Sequence, residues 1–317
     1  MAEIVVAGRT LLDTFLQSDA FERPRRDKAD SHQLLECFVL GAKIDLSCVT
    51  RTVGGGGLNA ATCFARLSHT PYLVSTVGDD HGRVDVLAHA RLEGIRPLVE
   101  VAKLATGESF IILNANGERT ILTFDAGGHA QSVQDILVRL HNGTALYYGV
   151  HHLAPRLTNR VFKSARGHGM KICWTPGLVD FSDRRSFQVN AQLVDVLILN
   201  ESEAARVSGE DTSKEVEQFF RNLSTTYCVI TKGKQGSLLL YDGVTLEAVA
   251  PRVSMVDSTG AGDAFAATFF AALLTKDDPR NALREATLNS GSVVRHVGST
   301  PGLLRRIPTR SVILREH

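Results

Sequence analysis

Apolar and polar positions fall along this chain in blocks that predict a mixed α/β protein. Ile4-Val5-Val6-Ala7-Gly8 is a short apolar run ending in glycine, the pattern of a strand buried on both faces. Residues 18 to 32 are polar and charged, including Arg23-Pro24-Arg25-Arg26-Asp27-Lys28, and predict a solvated loop. Strand-like runs return between 33 and 53, at Cys37-Phe38-Val39-Leu40 and around Ile44, broken by Gly41. Gly54 to Gly57 then lead into Leu58 to Leu67, where small and apolar residues recur at helical spacing and predict a helix packed closely on a sheet. Tyr72 to Gly78 predicts a strand and residues 82 to 93 a helix. Phe110 to Leu113 and Thr120 to Phe124 flank Asn116-Gly117, a pair whose tolerance of positive φ predicts a hairpin.

From about 132 onward helical and strand patterns alternate, with strands expected at 145 to 150, 170 to 174, 195 to 199, 227 to 231 and 237 to 241. Alternation of this kind builds βαβ units and a mostly parallel sheet. Asn200 and Thr231 then fall at the carboxyl ends of strands, where open α/β sheets take ligands. No repeat or low-complexity linker divides the chain, so one α/β domain with a small β excursion is expected over residues 1–317.

Composition narrows the function classes. Of 317 residues, 44% are hydrophobic and 22% charged, and the formal net charge of +1 offers no pull toward nucleic acid or a membrane surface. Five cysteines, at 37, 48, 63, 173 and 228, show no Cys-x-x-Cys spacing. They are expected to be buried small hydrophobes in a reducing cytoplasm rather than disulfides or a zinc site. No apolar run is long enough for a bilayer, and the N-terminus lacks a signal-peptide pattern.

The chemistry concentrates in Asp257-Ser258-Thr259-Gly260-Ala261-Gly262-Asp263, which opens the apolar helical stretch 264 to 274. A Gly-Ala-Gly turn at a helix start leaves backbone N–H groups unpaired and outward, at the positive end of the helix dipole. Such donors form an anion site, and the glycines let a ligand approach closely. Asp263, in the first turn, could take the proton of an attacking hydroxyl. Taken alone, Gly-x-Gly-Asp also fits an ordinary helix start with a favourable acid. Two other phosphate motifs are missing: Cys228 stands where a P-loop would need its first glycine before Gly233-Lys234, and Phe265 where a dinucleotide fingerprint would need its third.

These residues resemble the ribokinase-like, or PfkB, family of carbohydrate kinases. Asp257 to Asp263 is similar to the family's C-terminal signature, with Ser258 in place of threonine, and Gly54-Gly55-Gly56-Gly57-Leu58-Asn59-Ala60-Ala61 to its N-terminal one. Gly78-Asp79-Asp80-His81-Gly82 fits a further family element, and all three appear in the family's order over most of the chain. The resemblance implies a three-layer α/β/α fold with a mostly parallel central sheet. It also implies a discontinuous β lid from about 14–53 and 104–126.

It further implies ATP-dependent phosphorylation of a primary hydroxyl on a sugar-like substrate. Asp263 would be the base and the amides of Gly260, Ala261 and Gly262 the anion hole. Asp13, Gly54, Gly55 and Asn59 would hold the substrate. ATP would meet Asn200, Thr231, Gly233, Gly236 and Asn289, with Mg²⁺ organised through water by Glu203. Asn200 and Glu203 equally fit a helix N-cap with a capping-box glutamate. Asp257 and Thr259 match positions that bind a monovalent cation such as K⁺ in some members. Many relatives pair lid edges, which implies a homodimer. Leu11 and Gly56 replace the asparagine and lysine usual in ribokinases, which argues against ribose and leaves a nucleoside kinase as an alternative. A retired sugar-binding sensor is the reading from another class. Ligand binding without ATP turnover would separate it.

Overall fold

A computed structural model describes residues 1–21, 25–26, 34–35, 38–113, 119–124, 132–149, 152–210 and 212–317. The chain begins with strand β1 (Glu3–Gly8), turns at Arg9-Thr10 and continues as β2 (Leu11–Gln17). A short ribbon of β3 (Arg25–Arg26) and β4 (Leu34–Leu35) precedes β5 (Cys48–Gly54) and helix α1 (Gly56–Arg66). Next come β6 (Thr70–Gly78), α2 (His81–Glu93), β7 (Arg96–Ala102), β8 (Gly107–Leu113) and β9 (Arg119–Phe124). The middle of the chain alternates α3 (Val133–Arg139), β10 (Ala145–Gly149), α4 (Pro155–Gly167), β11 (Lys171–Trp174), α5 (Arg184–Ala191) and β12 (Val196–Asn200). After α6 (Glu201–Ser208) and α7 (Ser213–Arg221) the strands β13 (Tyr227–Thr231), β14 (Ser237–Tyr241) and β15 (Val244–Ala248) follow one another. Two helices, α8 (Ala261–Lys276) and α9 (Pro279–Val293), and a last strand, β16 (Leu314–Glu316), complete the fold.

The large sheet has ten strands in the order β16-β15-β14-β13-β12-β11-β10-β1-β6-β7. From β13 to β7 every pairing is parallel; β14, β15 and β16 add antiparallel at one edge. β1 shows why the sequence lacks alternation here. Ile4 and Val6 face a core shared with α1, α2, α8 and α9, whereas Val5 and Ala7 face one shared with α3 to α7. Both faces are covered, so every side chain must be apolar. The result is the three-layer α/β/α arrangement. Helix α8, buried at every residue from Ala264 to Leu273, lies between α1 and α9, which explains an apolar run with no polar face.

A second sheet of four strands, β5-β2-β8-β9, stands apart from the first. Register aligns Thr52, Asp13, Ser109 and Thr123 as a polar row across it. The next row on the same face is Thr50, Phe15, Ile111 and Ile121, and beyond it Arg119 pairs with Leu113. The opposite face carries Val49, Phe110, Leu122 and Phe124, all exposed.

Several expectations shift. The apolar stretch Phe38-Val39-Leu40 is an exposed turn, not a strand; pairing starts only at Cys48, opposite Gln17. Cys37 and the Asn116-Gly117 turn lie outside the described residues, although β8 and β9 do pair antiparallel. Cys63, Cys173 and Cys228 are buried thiols, but Cys48 is exposed on an edge strand. Strands β2 and β7 were not signalled: β2 buries Asp13 and Thr14, which break its apolar pattern, and β7 carries Pro97, tolerated because β7 is an edge. Among the described residues no helix is long and apolar enough to cross a membrane.

Candidate active site

Four consecutive glycines meet four different neighbours. A Cβ on Gly54 would stand 1.9 Å from Asp13 Oδ2, and one on Gly56 would stand 3.2 Å from Asp263 Oδ1. Gly55 is the N-cap of α1 with φ of 92°, and a side chain there would meet the Arg9 carbonyl at 2.6 Å. Gly57 crosses β1 so closely that a Cβ would lie 2.6 Å from the Gly8 carbonyl carbon, and its N–H donates to Arg9 O at 2.9 Å. This run therefore draws the start of α1 onto the end of β1 and turns Asn59 toward α8.

Asn59, almost wholly buried, bridges two distant segments. Its Nδ2 donates to Asp263 Oδ2 at 2.8 Å, and its Oδ1 accepts from Ser299 Oγ at 2.7 Å. Asp263 is the third residue of α8. Burial pushes its pKa up, opposed by the Asn59 hydrogen bond and the charge of Arg9. Asp13 is raised to about 7, first by burial and then by the nearby Asp263 carboxylate, with the Ser109 hydroxyl opposing. Two carboxyl groups thus lie close together where the polar row of the small sheet meets the start of α8.

The turn before α8 is fastened by Asp257. Its Oδ1 accepts from the Thr259 N–H at 2.9 Å and the Thr259 hydroxyl at 2.7 Å, and its Oδ2 from the Gly298 N–H at 2.9 Å. Gly260 caps α8 with φ of 75°, where a Cβ would strike Ser299 at 2.5 Å. The Ala261 N–H leans back to Ser258 O at 3.3 Å. Among the described residues the N–H groups of Gly260, Gly262 and Asp263 have no acceptor, which suits an anion.

Beside this turn opens a groove of about 780 Å³. One wall is Ser258, Ala261, Gly262 and Phe265; another is Thr231, Gly233, Lys234 and Gly236. Gly233 and Gly236 have φ of 53° and 103°, and the Gly236 turn presses on the Ala248 carbonyl. Helix α9 presents Thr287, Ser290, Gly291 and Val294, its i, i+3, i+4, i+7 face.

Asn289 is a correction: it was expected to meet ATP, yet it lies off the groove face of α9, fully buried. It donates to Thr268 Oγ1 at 2.8 Å and Cys63 Sγ at 3.5 Å and accepts from the Leu304 N–H at 2.9 Å. Asn200 and Glu203 form a reciprocal capping box: Asn200 Oδ1 accepts from the Glu203 N–H and Glu203 Oε2 from the Asn200 N–H, both at 2.9 Å. Burial raises the Glu203 pKa against these bonds. Neither residue lines the groove wall, although Asn200 pairs in register with Thr231.

Some contributors carry no motif. Thr106 takes up the Gly78–Gly82 element: its N–H and hydroxyl each donate to Asp80 at 2.7 Å, and its Oγ1 accepts from the Gly78 N–H at 2.9 Å. That element therefore anchors the entry to β8. Arg66 donates to the carbonyls of Thr300 (2.7 Å) and Leu303 (3.1 Å) and pairs with Glu93, holding the loop that carries Ser299. Gly298 to Gly302 signals a turn in sequence, but nothing there signals its partnership with Asn59.

Comparison with known proteins fits this geometry. The chain is 23% identical over 287 residues to ribokinase of Staphylococcus aureus (strain COL), covering 87% of this chain and 88% of that one. It is 28% identical over 320 residues to ribokinase of Bacillus subtilis (strain 168), covering 99% and 98%. The solved structure of Arabidopsis thaliana ribokinase complexed with ribose and ATP superposes with a TM-score of 0.74 at 22% identity, covering 96% of each chain. The family model "pfkB family carbohydrate kinase" matches residues 32–305, and the chain belongs to that family. Its members are phosphotransferases that act on an alcohol.

Proposed function

We propose that this protein transfers the γ-phosphoryl group of ATP to a primary hydroxyl of a sugar or sugar-like alcohol. The observation that carries this reading is the position of Asp263, in the first turn of α8, next to Gly262 of the 780 Å³ groove and near Asp13 of the small sheet. ATP lies in the groove, along Thr231, Gly233 and Gly236. The alcohol lies under the lid, oriented by Asp13 and Asn59 where Gly54 and Gly55 leave room. Asp263 takes the hydroxyl proton as the oxygen attacks phosphorus, a new O–P bond forms, and the bond to the ADP oxygen breaks. The amides of Gly260, Ala261 and Gly262 receive the charge that builds on the phosphoryl oxygens.

Among the described residues no group of three or more His, Cys, Asp or Glu could cage a metal. On this reading magnesium would arrive on the triphosphate, with Glu203 holding it through water and Asn200 contacting the triphosphate. Bound there, it would neutralise phosphate charge. A monovalent cation at Asp257 and Thr259 belongs to the same reading, and replacing potassium with a bulky organic cation tests it. The exposed apolar outer face of the lid supports a homodimer, which sedimentation at graded concentration would detect. Free buried thiols favour a cytoplasmic setting.

The apolar row of Phe15, Ile111 and Ile121 beside the polar row favours a second reading, in which the hydroxyls belong to a nucleoside. An ATP-consumption screen of free sugars against nucleosides decides between them. With the accepted substrate, Asp263→Asn should abolish turnover while ATP still binds. Near-normal turnover by that variant, or binding without turnover by the wild type, would remove the kinase reading.

A further inference from the structure

Helices α4 and α5 carry six basic side chains and no acidic one. Two of the six are committed: Arg166 pairs with Asp195, and Arg184 pairs with Glu210 while lying over the Phe219 ring. Arg156, Arg160, Lys163 and Arg185 are exposed and form no ion pair among the described residues. Asp183, whose charge is felt by Arg185, is occupied in capping α5. It accepts from the N–H groups of Arg185 and Ser186 and from the Ser186 hydroxyl. Spacings of four and three set Arg156, Arg160 and Lys163 along one face of α4. In a chain of net charge +1 this is a local surplus of cations.

Between the two helices lies a hollow of about 230 Å³ with Arg156 and Arg185 among its walls. Asn190, the one buried residue that lines it, is fixed on both sides. It accepts from Asn159 Nδ2 at 2.8 Å and donates to the Pro155 carbonyl at 3.0 Å. Asn159 Oδ1 then has no donor among the described residues. We propose that this hollow is a binding site for the phosphate monoester of a small polyol. The two guanidinium groups would take the phosphoryl oxygens, and Asn159 Oδ1 would accept from a hydroxyl of the alcohol part. The volume is below the ~300–1,000 Å³ of ordinary ligand pockets, which suits a small ester. None of the lining residues belongs to the 780 Å³ groove or to the small sheet. The ester is therefore a second ligand, and the proposal does not depend on the kinase reading.

Isothermal titration of the full chain with glycerol 3-phosphate and with glycerol tests this. The ester should bind and glycerol should not. The double variant Arg156→Ala, Arg185→Ala should weaken the ester about 10-fold or more, because both charge-assisted contacts are gone. Lys214→Glu, at an exposed position of α7, lowers the net charge by the same two units and should change the affinity less than about 2-fold. That control separates a built site from the general field of the protein. Thermal melts establish that each variant is folded, and Arg156→Gln alone, expected to lose several-fold, carries the test if the double variant is not. A wild type that does not bind the ester, a double variant within about 2-fold of it, or an equal loss in Lys214→Glu would each overturn the proposal.

Discussion

Gly54→Ala should disable substrate recognition while leaving the fold and the nucleotide groove intact. The added Cβ would stand 1.9 Å from Asp13 Oδ2 and 2.6 Å from its Cγ. Ordinary contact needs a separation about 1.5 Å longer, and repulsion at the shorter distance is prohibitive. The Asp13 backbone cannot yield, because β2 is paired on both sides, to Thr52 and to Ser109. The carboxyl group must instead swing away, abandoning the Ser109 hydroxyl and the pocket. Misplacing a positioning group by about 1 Å costs on the order of 100-fold, or about 2.7 kcal/mol in the transition state. Overpacking should cost a further ~1–3 kcal/mol of stability. Steady-state kinetics with the accepted alcohol should show kcat/KM down about 100-fold, with ATP affinity by titration within about 2-fold of wild type. Gly56→Ala, whose Cβ would lie 3.2 Å from Asp263 Oδ1, needs only a small adjustment and should lose far less. Gly167→Ala, with nothing within 4 Å, is the control. A folded Gly54→Ala enzyme keeping half the wild-type kcat/KM would refute the steric argument.

Asn59→Leu removes the hydrogen bond that favours ionised Asp263, so the acid limb of the kcat/KM profile should move to higher pH; an unmoved limb would count against Asp263 as the titrating base. Asn289→Ala should lower stability by about 1–3 kcal/mol, because it strands the Leu304 N–H and removes a donor from the Thr268 hydroxyl, with ATP affinity by titration unchanged in folded protein. Asp180 is almost wholly buried with one carboxylate oxygen unpartnered among the described residues, and burial lifts its pKa to about 7. Between the ordinary carboxylate value and about 7 the folded state holds the proton more tightly than the unfolded one, so this group's contribution to stability falls as pH rises through that window. Asp180→Asn should therefore gain on the wild type in thermal midpoint from pH 5 to pH 8. A constant difference between the two melts would show that the carboxyl does not titrate there.

What could be read in sequence was what local chemistry dictates. Positive φ, close approach and a helix start confine the choice of residue, so Gly54 to Gly57 and Gly260 to Asp263 announce themselves, and the structure brings both runs to Asn59. The doubly covered sheet was equally legible, since strands such as Ile4–Ala7 must be apolar throughout. Partners chosen by tertiary packing were not. Asn289 is the immediate neighbour of Ser290 on the groove face of α9, and only the rotation of that helix against α8 decides which face is wetted. Ser299 and Thr106 act through residues dozens to hundreds of positions away, and nothing local distinguishes them from turn or strand residues. β2 was hidden because it buries the very polar side chains that the site needs. Phe38 to Leu40 misled for the opposite reason: apolar residues without a neighbouring strand remain in a turn.

Asn59 touches Asp263, Ser299 touches Asn59, and Asp257 holds Gly298, so the Asp263 carboxylate is framed by residues met early, late and later still along the chain. Synthesis runs from the N-terminus, and the residues that line the groove, Thr231 to Val294, emerge before Gly298 and Ser299. A growing chain, or a fragment ended before Gly298, could therefore begin to shape the groove with the Asp263 carboxylate still unframed. On the kinase reading such incomplete products would have little power to waste ATP, and chemistry would begin only once Gly298 and Ser299 have been made.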